Sequence, residues 1–189
     1  YILQNSFHLS WLKTRSTFVL CGGICTVLIV VISLYGFFHG SKIKTSTYQI
    51  SIDKKPPNIS SLKIAFFADC HFGYSTGLLQ AKKICRKISQ EHPDLICIGG
   101  DIFDNEYEAI RHPEKIQKVL ASMQSRYGTY ACWGNHDLSE PILAGFTFPQ
   151  NPDTLLDPRM KIFVEKSNIH ILEDEVLLID HSFYLAGRM

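Results

Sequence analysis

The sequence predicts an α/β domain with a parallel sheet, preceded by a helix that spans a membrane. Three observations carry this expectation. An apolar run without acidic or basic residues occupies positions 18–38. Apolar segments typical of buried strands follow at 62–68, 95–98 and 129–133, and amphipathic helical patterns separate them. Strands that alternate with helices in this way usually lie parallel in one sheet.

The composition is that of a globular protein without a general affinity for nucleic acid. A chain of 189 residues holds one domain of ordinary size once a membrane segment is subtracted. Its 46% apolar and 20% charged residues argue against disorder. Lys and Arg number 19 against 18 Asp and Glu, so no basic excess favours a nucleic-acid partner. The six cysteines include no Cys-X-X-Cys pair, and we expect neither a disulfide framework nor a zinc knuckle.

The apolar run from Phe18 to Phe38 matches the thickness of a bilayer, which needs about 20 apolar residues. Aromatic residues such as Trp11 and Tyr35 suit its two interfaces. A signal peptide and a buried core helix are the alternatives, but the first usually has a shorter apolar centre and the second seldom lacks charge for so long. We assign residues 1–15 to a juxtamembrane segment and 16–38 to a transmembrane helix. Basic residues flank both ends, so the side on which the domain lies stays open.

A linker is expected at residues 39–61, and the domain at 62–189. Residues Lys44–Asp53 alternate between two side-chain classes with a period of two, which predicts one strand within the linker. Pro56 and Pro57 end it. The last residues end in a strand pattern, and we therefore expect the chain to be part of a longer protein.

Within the domain, the patterns predict a β-α-β-α-β core and a looser C-terminal part. The helices are expected at Leu78–Glu91 and Pro113–Ser125. Prolines interrupt Leu138–Arg159, which reads as an irregular insertion with short helical turns. Strand patterns resume at 168–172, 176–179 and 183–186.

The helix at Leu78–Glu91 carries a basic face opposite its apolar one. This face consists of Lys82, Lys83, Arg86 and Lys87. Contact with lipid or nucleic acid is one interpretation, but a solvated helix surface is the more common explanation of such a pattern.

Polar clusters follow each of the three core strands. They are Asp69-Cys70-His71, Gly99-Gly100-Asp101 and Gly134-Asn135-His136-Asp137. Asp69 and His71 lie two residues apart, so on an extended chain both reach the same side and one metal ion. The Asp101 carboxylate can bridge two cations, and Gly99 and Gly100 let the backbone approach a ligand closely.

The third cluster completes a plausible hydrolytic site. Asn135 offers a neutral oxygen to a second ion, and His136 is free to act as an acid or a hydrogen-bond donor. These parts suit a two-metal hydrolase acting at phosphorus. Aspartate, histidine and asparagine ligands favour manganese, iron or zinc over calcium.

Each cluster taken alone is more often a capped turn, and only the three in order point to a metal site. Cys70 is interpreted as a packed thiol because its side chain points away from its neighbours. Asp104 and Asn105 either support the metal site or cap the next helix, and the sequence leaves both open. Asp137 is expected to orient the turn of its motif or to cap a helix.

Together, the three motifs resemble those of the calcineurin-like metallophosphoesterase superfamily, and with the preceding span they are most similar to its bacterial membrane-associated branch. The resemblance implies a sandwich of two β-sheets flanked by helices. It also implies that Asp69, His71 and Asp101 bind one divalent metal ion, that Asp101 and Asn135 bind the second, and that His136 contacts the phosphate or the leaving group.

The implied function is a membrane-anchored hydrolase of phosphomonoesters or phosphodiesters, located at the bacterial cell membrane. A lipid-linked phosphoester is one such substrate, and the cofactors are two ions of Mn, Fe or Zn. The alternative is a non-catalytic scaffold or sensor with the same fold. The family's later Gly-His-X-His motif has no counterpart here, since glycine precedes neither His170 nor His181. These two are not assigned as ligands, and we expect the binuclear site to be incomplete and the piece by itself inactive.

Overall fold

The computed structural model describes residues 14–40, 42–54, 56, 58–138, 142–143, 146–147 and 156–188. The chain divides into two compact units, Tyr1–Lys44 and Thr45–Met189.

The first unit contains one long apolar helix, α1, at Arg15–Gly40. Its 26 residues correspond to about 39 Å, which exceeds the hydrocarbon core of a bilayer at about 30 Å. None of its residues is buried against protein. The predicted span at 16–38 lies inside this helix, which is long and apolar enough to cross a membrane.

The strand predicted at Lys44–Asp53 is wrong, because residues 42–54 form no strand. The large side chains of the alternating pattern, Tyr48, Ile50 and Ile52, are all exposed. A single extended segment leaves its backbone groups unpaired unless a second strand lies beside it. The described residues offer this segment no such partner.

Among the residues that the structure describes, the second unit contains three α-helices and eight short strands. The helices are α2 (Leu78–Glu91), α3 (Pro113–Leu120) and α4 (Pro158–Lys166). The strands are β1 (Ile64–Phe67), β2 (Leu95–Ile98), β3 (Thr129–Ala131), β4 (Ile142–Leu143), β5 (Phe146–Thr147), β6 (His170–Ile171), β7 (Glu175–Ile179) and β8 (Phe183–Gly187).

The central sheet has the order β1-β2-β3-β6, and all of its strands are parallel, as predicted. Ile64 pairs with Leu95, and Ile96 pairs with Thr129. Parallel strands of this kind end at one common edge. The loops that follow β1, β2 and β3 therefore begin at the same edge of the sheet.

Helices α2, α3 and α4 form the hydrophobic core together with the central sheet. Residues at helical spacing point inward and lie with Ile96, Ile98 and Ala131 of the sheet in one cluster. These helix residues are Ala81, Cys85, Ile88, Ile116, Leu120, Met160, Phe163 and Val164. The burial of these side chains explains why the 3.6-residue pattern predicted α2 with its correct ends.

A separate antiparallel hairpin, β7–β8, forms a second sheet. It is held beside the central sheet by side-chain contacts. The ring of Phe183 lies 5.7 Å from that of Tyr127, whose hydroxyl donates to Asp180. The mixed α/β fold class, with its parallel sheet and covering helices, is confirmed.

Two helix predictions need correction. The irregular segment was expected to reach Arg159, but α4 starts at Pro158, where Asp157 caps the helix by accepting from the Arg159 N–H at 2.8 Å. Proline at the first helical position after an N-capping aspartate is a start signal in its own right. Helix α3 ends at Leu120, five residues before the predicted end. Residues 139–141, 144–145 and 148–155 of the irregular segment lie outside the described residues.

Candidate metal site

The loops that follow β1 and β2 run side by side beyond the end of the sheet. The Asp69 N–H donates to the Gly100 carbonyl at 3.2 Å, and the His71 N–H donates to the Asp101 carbonyl at 3.0 Å. These bonds bring three predicted ligands together. The ligand atoms of Asp69, His71 and Asp101 all lie within 4.8 Å of one another.

The three residues meet through a different backbone conformation from the one expected. Strand β1 ends at Phe67, and Asp69, His71 and Asp101 adopt left-handed φ angles of 54°, 44° and 51°. Non-glycine residues in this region cost about 1–3 kcal/mol each and persist only where their surroundings hold them. The extended backbone expected at Asp69 and His71 is therefore wrong, although the side chains do converge.

Cys70, between the two ligands, is a packed thiol as predicted. Only 6% of it is exposed, and it belongs to the hydrophobic core. Burial raises the pKa of its thiol to about 12, so the sulfur stays protonated. A protonated buried thiol is a poor metal ligand.

Asp137 ties the loop after β3 to the loop after β2. Its carboxylate is fully buried and accepts from two backbone donors, the Phe103 N–H and the Gly134 N–H, each at 2.8 Å. Burial raises the pKa of this carboxyl to about 6, against the effect of the two hydrogen bonds. The expected turn-orienting role is confirmed, and the side chain also joins two loops.

Two glycines allow these loops to touch. Gly100 has a φ of 92°, and a Cβ there would lie 2.7 Å from the Gly134 nitrogen. A Cβ on Gly134 would overlap the Asp101 carboxylate and backbone nitrogen. Glycine at position 100 therefore allows one loop to approach another closely.

His136 faces the predicted ligands from the third loop. The backbone N–H of His136 donates to Asp101 Oδ1 at 2.9 Å. The centroid of its ring lies 4.9 Å from that of His71, and the two ring planes make an angle of 76°. The Nδ1 atom of His136 is buried and has no hydrogen-bond partner among the described residues. A buried polar atom without a partner is costly, so this atom points to a group that binds there.

Asp104 lies in the same cluster, as expected for one of the two interpretations that the sequence left open. Its carboxylate lies 3.9 Å from His71 Nδ1, and the ligand atoms of His71, Asp104 and His136 all lie within 4.8 Å of one another. The N-cap position of the next short helix, Tyr107–Ala109, is Glu106 and not Asp104, and no side-chain hydrogen bond caps this helix. In the sequence, the feature that indicates a role for Asp104 near the metal site is its position three residues after Asp101.

The structure does not join Asn135, His170 or His181 to the cluster through any described hydrogen bond. Asn135 is exposed at the start of the short helix Asn135–Asp137, and no described hydrogen bond joins its side chain to the cluster. Its role as a ligand stays a prediction. His170 binds Glu175 at 3.1 Å, and neither it nor His181 belongs to the groups of ligand atoms found among the described residues.

The donor set fits a divalent cation. Carboxylates and imidazoles are common ligands of manganese, iron and zinc, and Asp69, His71 and Asp101 offer both. Carboxylates and imidazoles gathered at the carboxyl edge of a parallel sheet define the class of metal-dependent hydrolases. The family model described as calcineurin-like phosphoesterase matches residues 62–185, and the chain belongs to this family. Its members typically bind divalent metals.

The relatives include transmembrane proteins and a pyrophosphatase. The chain is 25% identical over 115 residues to a transmembrane protein with metallophosphoesterase domain from Danio rerio, covering 60% of this chain and 26% of the relative. The protein of the same name from Bos taurus is 29% identical over 126 residues, 66% of this chain and 28% of the relative.

UDP-2,3-diacylglucosamine pyrophosphatase LpxG from Chlamydia trachomatis is 33% identical over 87 residues, 46% of this chain and 26% of that enzyme. The chain thus spans less than a third of the length of each of these relatives. They come from vertebrates and bacteria, so membership of a bacterial branch stays a prediction.

Proposed function

We propose that the protein is a membrane-anchored, metal-dependent phosphoesterase that hydrolyses phosphomonoesters or phosphodiesters through a binuclear centre. The observation that carries this proposal is the convergence of Asp69, His71, Asp101 and His136 at one edge of the sheet, in a chain of the calcineurin-like phosphoesterase family.

In this proposal, each side chain has a separate task. Asp69, His71 and Asp101 hold one ion, and Asp101 and Asn135 hold the second. Divalent ions of Mn, Fe or Zn, when bound, supply Lewis-acid stabilisation of charge at phosphorus and activate water. His136 contacts the phosphate and provides a proton for the leaving oxygen. Asp104 positions the imidazoles, because its carboxylate lies beside both rings.

Helix α1 supports attachment to a membrane, since 26 largely apolar residues, none of them buried, suit a bilayer. A substrate with a lipid part is compatible with this arrangement. The name of the chlamydial relative describes a pyrophosphatase of a diacylated nucleotide sugar, which is a substrate of that kind. We propose a lipid-linked phosphoester as the substrate class.

Hydrolysis of a chromogenic phosphodiester by the full-length protein with Mn²⁺ tests the proposal. We expect His136→Ala to lower kcat by about 10²–10⁴-fold, as loss of a general acid does. His170→Ala is the matched control, because His170 binds Glu175 outside the candidate site, and its rate should be unchanged. Equal rates of wild type and His136→Ala would contradict the catalytic role.

Metal content is measured on the same samples. Asp101→Asn should lose bound manganese, whereas Asp53→Asn, an exposed aspartate outside the site, should retain it. Manganese binding without any turnover would favour the sensor, and neither binding nor turnover would favour the scaffold.

A further inference from the structure

The outer face of α2 carries a concentrated positive charge. Lys82, Lys83, Arg86 and Lys87 are all exposed, while Ala81, Cys85 and Ile88 on the opposite side are buried. Glu91 is the one acidic residue of the helix, and it pairs with Lys63 at 3.0 Å. The cations of this face therefore outnumber the acidic side chains of the helix by four to one.

Large apolar side chains accompany these cations. Leu79 is 77% exposed, and it shares a helix face with Lys83 and Arg86 because they lie four and seven residues further on. Tyr74, in the loop that leads into the helix, is 64% exposed. A face that combines Lys, Arg, Leu and an aromatic ring has the composition of surfaces that lie at a membrane interface.

This surface borders the candidate metal site. Gly73 follows His71 closely and lies against Asp104, since a Cβ on Gly73 would come within 2.9 Å of the Asp104 Cβ. The Gly73 N–H donates to the Thr76 carbonyl at 2.9 Å, and this turn leads directly into α2. The start of α2, next to Tyr74 and Leu79, therefore lies close to the candidate metal site.

We propose that the outer face of α2 docks on anionic phospholipid headgroups, with Leu79 and Tyr74 entering the headgroup layer. The inference rests on the proposed membrane attachment through α1, because residues 41–63 cannot extend beyond about 80 Å and so keep the domain near the bilayer. Positive charge complements the anionic surface, and each cation near it adds to the attraction. Docking presents the metal site to phosphoesters of membrane lipids.

Chemical labelling of lysines in nanodiscs tests this docking. The full-length protein is reconstituted in phosphatidylcholine, or in a mixture of phosphatidylcholine and phosphatidylglycerol, and acylated with a water-soluble N-hydroxysuccinimide ester. Mass spectrometry then gives the labelling of Lys82 and Lys87 relative to that of Lys161. Lys161 lies on α4, and its Nζ donates to Glu173. We expect this ratio to fall at least about threefold in the anionic discs and to recover at high salt.

A charge-reversal variant localises the contact. In Lys82→Glu/Arg86→Glu/Lys87→Glu, the anionic lipid should no longer protect Lys83. The control Lys115→Glu/Lys118→Glu/Lys166→Glu makes the same change in net charge on exposed residues of α3 and α4, and it should keep that protection. Equal loss in both variants would overturn the proposal, because it would show attraction without a defined face.

The outcomes separate this inference from the proposed function. If the lysines are labelled equally in both kinds of disc while the protein stays in the discs and hydrolyses phosphodiesters, docking is wrong and the phosphoesterase stands. If the protein does not remain with the discs, the membrane attachment itself is wrong. Protection by a DNA duplex but not by anionic lipid would overturn docking in favour of a nucleic-acid partner.

Discussion

The predicted ligands hold strained backbone conformations that neighbouring loops stabilise. Asp69, His71 and Asp101 have left-handed φ angles, and each lies in a loop fixed by backbone hydrogen bonds to the loop beside it. Strain of this kind occurs where a site must be formed before its ligand binds. The residues that allow the loops to approach therefore matter as much as the ligands.

Gly134→Ala tests that close approach. The new Cβ would overlap the Asp101 carboxylate, so we expect lower metal affinity and a loss of about 1–3 kcal/mol in the free energy of unfolding. Manganese titration and denaturant unfolding measure the two effects. Gly77→Ala is the control, because nothing lies within 4 Å of a Cβ there. An unaltered metal affinity in Gly134→Ala would contradict this account.

Asp104→Asn separates positioning from metal binding. The uncharged amide holds the imidazoles of His71 and His136 less firmly, so we expect kcat to fall roughly 10–100-fold while the bound manganese stays unchanged. Steady-state kinetics and elemental analysis of the same preparation provide both values. Loss of metal in proportion to activity would make Asp104 a ligand rather than a positioning residue.

At the scale of elements, helix α4 packs against a residue that is bonded to the candidate site. The ring of Phe163 on α4 lies 5.2 Å from that of Phe103, edge to face at 84°. The N–H of Phe103 in turn donates to Asp137, which holds the third loop. Packing of α4 thus extends through two contacts to the loop that carries His136.

Phe163→Ala should therefore weaken both the fold and the site. Removing a fully buried aromatic ring costs about 3–5 kcal/mol of unfolding free energy. Thermal unfolding, followed by circular dichroism, measures this effect. Ile162→Ala, one residue earlier and half exposed, should lower the Tm much less. Similar losses in both variants would show that α4 does not depend on its buried face.

At the scale of the whole molecule, the chain joins parts suited to two solvents. Helix α1 exposes apolar side chains along its length, whereas the α/β domain buries its apolar residues between sheet and helices. In water, the first arrangement is unfavourable and the second is stable. The proposed insertion of α1 into a bilayer would place its apolar side chains in an apolar solvent.

Insertion of α1 is tested with arginines. Val27→Arg/Val30→Arg places two charges near its centre, at a cost of about 2.5–3.5 kcal/mol each, and alkaline carbonate should then extract the protein from membranes. Phe18→Arg/Phe38→Arg places the same charges near the ends, where long side chains reach the interface, and the protein should stay in the membrane pellet. Retention of the central variant would contradict the span.

Local patterns were sufficient for much of the fold and for part of the site. Helix α2 and strand β2 were predicted with their observed ends, because α2 follows the helical period and β2 is a short continuous apolar run. Helix α4 was missed among prolines, although Asp157-Pro158 marks its start. The strand at Lys44–Asp53 fails because a strand depends on a partner elsewhere in the chain.

The sequence by itself indicated Asp69, His71, Asp101 and His136 as neighbours, since their motifs follow three strands that end at one edge of a parallel sheet. Only the tertiary structure decided how they meet. The left-handed turns at Asp69 and His71, the place of Asp104 beside both imidazoles and the bond from Phe103 to Asp137 all involve loops that are about 30 residues apart in sequence. Such contacts depend on packing, which no local periodicity contains.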